Sequence, residues 1–295
     1  MIDERSEGND RTNNHYRMSW HKMDPLKKNS VEKYLREYEM MCVSACGKFL
    51  KRNPVKDNIW LLKRSKNEIQ ALLIYSYRTL LPVFKGRTNI PEPEFINRFF
   101  RKLPVHSVQG LKEDVIYLEE YLLKCNLLAI DKIDYNLMYI DNAPEKSAFD
   151  AGPKDLIIRR ACLKDMDELA VLQAGYEKEE VLPLGADFNP SASYANTERI
   201  YSKEQLLVAE FEGRLVGKIN TSAVSFTRFQ IGGVFVLPEY RSMGIARRMT
   251  GEFITMLIKQ GRGISLFVKK SNFAGYSVYS RLGFKLLADY RINYY

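Results

Sequence analysis

The chain has 295 residues, 45% of them hydrophobic and 27% charged, with a formal net charge of +9. That length is comfortable for two domains, and the proportions are those of a globular protein, not a fibrous or disordered one. The basic excess divides almost evenly between residues 1–150 and 151–295, so neither half reads as a nucleic-acid module, although a mild basic bias suits a ligand with several phosphates.

No run approaches the roughly 20 apolar residues that span a bilayer. The opening MIDERSEGNDRTNNHYRMSWHK is polar and lacks the apolar stretch of a signal peptide, which gives the expectation of a cytoplasmic protein with no membrane partner. Cys42, Cys46, Cys125 and Cys162 are scattered, as are His15, His21 and His106, so no metal site is expected. Cys42 and Cys46 share a helix face and read as two small buried thiols.

In chain order, residues 1–29 carry little apolar periodicity and read as a flexible polar tail. Val31, Tyr34, Leu35, Tyr38, Met41, Cys42 and Ala45 recur at helical spacing and predict one helix over 31–51, with Ser30 as its cap. Ile59 to Leu62 and Ala71 to Tyr75 predict a hairpin whose second strand continues toward Phe84. Helices follow near 94–101 and 115–125, then a strand over 134–140. Residues 30–141 therefore form a small α+β accessory domain, and 142–154, with Pro144, Gly152 and Pro153, read as a linker.

The pattern restarts with a strand at Leu156, a helix over 166–181 and a second over 195–201. A hairpin around Glu212-Gly213 comes next. Residues 229–249 then read as strand, tight loop and helix start. The run Ile231, Val234, Phe235, Val236 and Leu237 suits a buried strand, Pro238 stops it, and Gly244 allows a sharp turn into a helix through Met249, Phe253, Ile254 and Leu257. Such a turn aims unpaired N–H groups and the positive end of a helix dipole at one point, which makes an anion site.

The order V-x-V-x-P-x-x-R-x-x-G-x-A over residues 234–246 resembles the acyl-CoA-binding signature of the GNAT superfamily of N-acyltransferases. A following strand (Ile264 to Val268), Asn272 and the Tyr-x-x-x-Gly-Phe of Tyr279, Gly283 and Phe284 extend the match. The resemblance implies an α+β fold with a mixed, mostly antiparallel sheet flanked by helices across 155–295. It implies acetyl-CoA as acyl donor, and a small-molecule or peptide amine as acceptor. It also assigns roles. The backbone of Val234, Phe235 and Val236 would face the thioester and pantetheine, and the loop Arg241, Ser242, Met243, Gly244, Ile245 and Ala246 would hold the pyrophosphate. Asn272 would bind the pantetheine arm and Tyr279 would be the general acid. Tyr279 at helical spacing from Tyr276 and Leu282 also suits plain packing, and Asn272 also suits a helix cap.

The central strand carries no Glu before Glu239, so the general base stays open among Glu210, Glu177, Glu179, Glu180, Asp187 and a water relay. That gap also fits a CoA-binding regulatory module without turnover. The first half echoes the second, since DYNLMYID resembles ADYRINYY, yet it has no Arg-x-x-Gly-x-Ala. A truncated copy of the same fold and an unrelated α+β domain both account for it.

Overall fold

A computed structural model of the chain describes residues 18–24, 28–51, 58–63, 68–86, 90–100 and 104–295. The first half runs β1 (Ser19–Lys22), α1 (Lys28–Glu37), α2 (Val43–Leu50), β2 (Asn58–Lys63), β3 (Ile69–Ser76), β4 (Thr79–Phe84), α3 (Phe95–Phe100), β5 (Ser107–Leu111), α4 (Lys112–Lys124) and β6 (Asp131–Ile140). After a short α5 (Lys146–Phe149), the second half runs β7 (Ile157–Arg160), α6 (Met166–Tyr176), α7 (Pro190–Lys203), β8 (Leu206–Phe211), β9 (Arg214–Val224), β10 (Arg228–Val236), α8 (Ile245–Ile258), β11 (Gly263–Lys269), α9 (Phe273–Arg281) and β12 (Lys285–Tyr294).

The two runs repeat one plan of strand, two helices, antiparallel meander, helix, strand, helix, strand. In each, the last strand of the meander pairs in parallel with the strand after the helix, and only briefly. Thr79 and Leu80 of β4 face Ser107 and Val108 of β5, and Arg228, Phe229 and Gln230 of β10 face Gly263, Ile264 and Ser265 of β11. Pro82 supplies no ladder N–H where β4 leaves β5.

The strands of the described residues join one sheet in the order β1-β2-β3-β4-β5-β12-β6-β11-β10-β9-β8-β7. Each half gives its final strand to the other. β12 lies between β5 and β6, and β6 pairs with β11. The look-alike segments DYNLMYID and ADYRINYY are these two exchanged strands, with Tyr135 opposite Tyr290 and Ile133 opposite Ile292.

Alternation within the strands builds a core on each face. In β2, Ile59 and Leu61 pack under α1 and α2 with Leu35 and Phe49, whereas Trp60 and Leu62 pack under α3 and α4 with Ile96 and Leu118. In the second half, Met249, Phe253, Ile254 and Leu257 of α8 cover one face, and Leu169, Leu172 and Ile200 of α6 and α7 cover the other. Each fully buried Leu, Ile or Phe contributes about 1.5–3 kcal/mol of transfer free energy.

Several expectations need correction. The stretch read as a polar tail contributes edge strand β1, and Met23 after it is buried; residues 1–17 lie outside the described residues. The helix expected over 31–51 breaks at a 3₁₀ turn, Glu39–Met41. The break turns the buried Glu39 toward the β9–β10 turn, where its carboxylate accepts from Ser225 Oγ (2.5 Å), Thr227 N (2.6 Å) and Thr227 Oγ1 (2.8 Å). The strand expected from Ala71 to Phe84 is two strands, because Tyr77 and Arg78 adopt φ of 48° and 66° and make a tight hairpin turn. The presumed linker is packed, with Phe149 of α5 against Gly251 of α8, where a Cβ would lie 2.2 Å from the Phe149 ring.

Candidate active site

The site begins with a defect in β10. The ladder with β9 shifts register between Gly232 and Phe235, leaving Gly233 and Val234 without partners on β9, while beyond Gln230 the strand also has no partner on β11. Gly233 has φ +59°, and a Cβ there would sit 2.1 Å from Asn220 Oδ1 and 2.7 Å from Lys218 Nζ. The bulge therefore depends on glycine, and it opens the sheet between β10 and β11.

After Pro238 ends the strand, one 3₁₀ turn (Pro238–Tyr240) leads to a loop in which Ser242 and Gly244 both take left-handed backbone angles, φ +65° and +83°. Helix α8 then starts at Ile245. This path leaves the N–H groups of Ser242, Met243, Gly244, Ile245, Ala246 and Arg247 without a protein acceptor among the described residues. They gather at the positive end of a 14-residue helix. Gly244 packs on the segment before β7, since a Cβ would meet Gly152 N at 2.9 Å and Ala151 Cβ at 3.1 Å.

The loop and the opened strand edge border a cavity of about 910 Å³. Val234, Phe235, Val236, Arg241, Ser242, Gly244, Ile245, Ala246, Asn272 and Tyr279 all line it. Met243 does not. It is 40% exposed, and only its backbone belongs to the loop. Arg241 is spent on structure, donating through Nε to Val236 O (3.0 Å) and through Nη2 to both Glu179 oxygens (2.9 and 2.8 Å). Arg247 differs, because its Nε is buried, without a partner among the described residues, and at the cavity wall, where Arg281 also stands. Six free amides beside an orphaned guanidinium N–H fit a polyphosphate.

Tyr279 is 9% exposed, and its hydroxyl has no hydrogen-bond partner among the described residues. Burial first, then the neighbouring Tyr176 and Glu180, raises its pKa and keeps the phenol protonated. Asn272 caps α9, its Oδ1 accepting from Gly275 N at 2.8 Å, and its Nδ2 donates to Glu180 Oε1 at 3.1 Å. Each polar atom thus has one protein partner, and the second Nδ2–H remains available at the cavity wall. Among the acids, Glu210 pairs with Arg159 (2.8 Å). Glu179 holds Arg241, and Glu177 accepts from Gln173 Nε2 and Asn196 Nδ2, both at 2.7 Å. Only Glu179 and Glu180 reach the cavity wall. They are placed there by a single π turn, Glu177–Val181, that extends α6, closed by Leu182 N donating to Glu177 O.

Residues 172–284 match the model of the Acetyltransferase (GNAT) family. They form a GNAT-family domain. No curated protein sequence matches the chain. Among solved structures, a Drosophila protein superposes with a TM-score of 0.64 at 10% identity, covering 94% of this chain and 98% of that one. A GCN5-related N-acetyltransferase from Sphaerobacter thermophilus gives 0.60 at 17% identity, covering 94% of each. A tandem GNAT protein from the clavulanic acid biosynthesis pathway gives 0.56 at 12% identity, covering 94% of this chain and 98% of that one. At these identities the likeness is one of fold, and it extends over both halves.

The GNAT domain holds one group that sequence reasoning missed. Lys218 of β9 is fully buried beneath the bulge. Its Nζ donates to Asn220 Oδ1 (2.9 Å) and Gly233 O (3.0 Å) and lies 5.0 Å from the centre of the Tyr176 ring. Burial pushes its pKa down to about 7, partly offset by Glu177. The Gly232-Gly233 pair was the available signal, since it marks a close approach without naming what approaches. No cluster of potential metal ligands occurs among the described residues, and none of their helices is long and apolar enough to cross a membrane.

Proposed function

We propose that this protein is an acetyl-CoA-dependent N-acetyltransferase in which a primary amine attacks the thioester directly. The observation that carries the reading is the set of amides of Ser242, Gly244, Ile245, Ala246 and Arg247, unpartnered among the described residues, opening on the same cavity as the bulged strand and Tyr279. Acetyl-CoA supplies an activated acetyl group and a thiolate leaving group. The loop amides, Arg247 and Arg281 would bind its phosphates. The strand edge at Val234 would place an N–H against the carbonyl oxygen and stabilise the charge that develops there. As the C–N bond forms and the C–S bond breaks, Tyr279 gives its proton to the departing sulfur, the proton lost by the amine passes to water, and water returns a proton to the tyrosinate. Glu179, held by Arg241, and Glu180, facing Lys269 at 3.4 Å, are engaged carboxylates at the wall.

A calorimetric titration of the purified protein with acetyl-CoA tests this reading, with Gly244→Glu as the comparison. Saturable binding that is lost in the variant is expected, because any side chain at Gly244 strains a left-handed residue and pushes into Ala151 and Gly152. No binding by the unaltered protein, or undiminished binding by the variant, overturns it. Tyr279→Phe should then retain acetyl-CoA affinity while turnover falls by about 10²–10⁴, the usual range for a general acid.

A further inference from the structure

A second cavity, of about 270 Å³, lies behind the opened strand and meets the first at Glu180, Val234, Lys269, Asn272 and Tyr279. Its walls come from both halves. β12 and β6 contribute Ile292, Tyr294 and Tyr135, and β5 contributes Gln109, while β11 and α6 contribute Phe267 and Tyr176. The aromatic wall is fixed by its own packing. The Tyr135 and Phe267 rings meet edge to face at 5.3 Å, and Phe267 stacks on Tyr290 at 5.0 Å. On the far side the Tyr294 hydroxyl donates to Val181 O at 3.4 Å, joining β12 to the π turn after α6.

Charge is confined to the rim shared with the first cavity. Lys269 is engaged there by Glu179 O (2.9 Å) and Glu180 (3.4 Å). Among the described residues no other cation lines the second cavity, so a carboxylate on the acceptor finds no free positive charge there. Beyond the rim the polar group offered by β5, the lining strand furthest from β10, is the uncharged Gln109. The volume falls below the about 300–1,000 Å³ typical of drug-sized ligands. Resting on the acyltransfer reading, we infer that this cavity selects the acceptor, and that the acceptor is a small free primary amine with an apolar or aromatic body. The amine nitrogen lies at the rim beside Glu180 and Tyr279, and the body lies against Tyr135, Phe267 and Ile292. Entry into such a site favours the neutral amine that attack requires, because desolvation disfavours its ammonium form. Lys218, an amine buried under the same bulge, shows this effect.

The test uses the full chain and three readouts. Acetyl-CoA titration reports on the parent reading alone. Saturation-transfer NMR, with and without coenzyme A, reports binding of 2-phenylethylamine, spermidine, glycine and a lysine-containing peptide. Thiol release reports turnover of the same amines. We expect 2-phenylethylamine to bind and turn over best. Ile292→Trp, which fills the cavity, should weaken it at least about tenfold, equivalent to about 1.4 kcal/mol, and leave acetyl-CoA affinity intact. Tyr135→Phe should keep the preference, because the ring and not the hydroxyl makes the wall. A preference for glycine, spermidine or the peptide overturns the inference while the parent reading stands, as does indifference of phenylethylamine binding to Ile292→Trp. Failure of acetyl-CoA to bind sinks the parent reading and the acceptor role with it, even if the apolar amine still saturates the cavity.

Discussion

Arg241 in the loop and Arg247 in the first turn of α8 carry the same charge, yet their surroundings give them different work. The guanidinium of Arg241 is held by Glu179 and Val236 O, so it steadies the entrance of the loop. Arg247 has a buried Nε with no acceptor among the described residues, a cost that an arriving anion relieves. Arg247→Ala should therefore weaken acetyl-CoA by about ten- to a hundredfold, the range of a charge-assisted hydrogen bond worth about 1.5–3 kcal/mol. Arg241→Ala should weaken it less. The reverse order in a calorimetric titration would mean that the loop binds phosphate through the signature arginine.

Lys218 makes a second prediction at this scale. Its pKa of about 7 lies below the ordinary 10.5. The unfolded chain keeps this proton up to about pH 10.5 and the fold only up to about 7. Between those values unfolding takes up a proton, so stability rises with pH by as much as about 1.36 kcal/mol per unit. Below about 7 the penalty is present in full. Urea unfolding at pH 7 and pH 9 should show that rise in the unaltered protein and lose it in Lys218→Met. Equal pH dependence in the two proteins would exclude a buried, depressed lysine.

At the scale of elements, the bulge in β10 ties these residues together. Gly233→Val combines a left-handed backbone strain of about 1–3 kcal/mol with overpacking of similar size, and its side chain must displace Lys218 and Asn220. It should lower unfolding free energy by about 2–6 kcal/mol in a urea titration and close the strand edge that Val234 presents. A neutral effect would show that the strand can straighten without harm. Much of this region was legible in the sequence, because Pro238, Gly244 and the β-branched run before them act through local backbone sterics. Lys218 was not legible. In LVGKINT a lysine alternates with apolar residues as a solvent-facing strand position does, and only the register of β9 against a bulged β10 buries it. The break between α1 and α2 was hidden for a similar reason. The apolar periodicity of residues 31–45 continues through it, and the carboxylate of Glu39 is satisfied by Ser225 and Thr227, far away in sequence.

For the whole molecule, the exchange of β6 and β12 makes each half depend on the other. β12 finds its ladder partners on β5 and β6, and both belong to the first half. Arg291 of β12 and Lys112 of α4 converge on Asp134 of β6, each at 2.7 Å. The hydrogen bond from Arg291 is the largest cause of an Asp134 pKa lowered to about 2. That contribution is present above about pH 4 and is lost as the pH falls toward 2. A chain of residues 155–295 alone retains the loop signature but lacks the partners of β12 and the β6 edge beside β11, leaving apolar strand edges open. The full chain should therefore unfold in one cooperative transition, coincident by circular dichroism and tyrosine fluorescence, while residues 155–295 expressed alone should show no cooperative transition or should aggregate. A sharp, reversible transition in that fragment, with acetyl-CoA binding retained, would show that the exchanged strand is dispensable. The first half would then be an appendage and not the partner that completes the sheet.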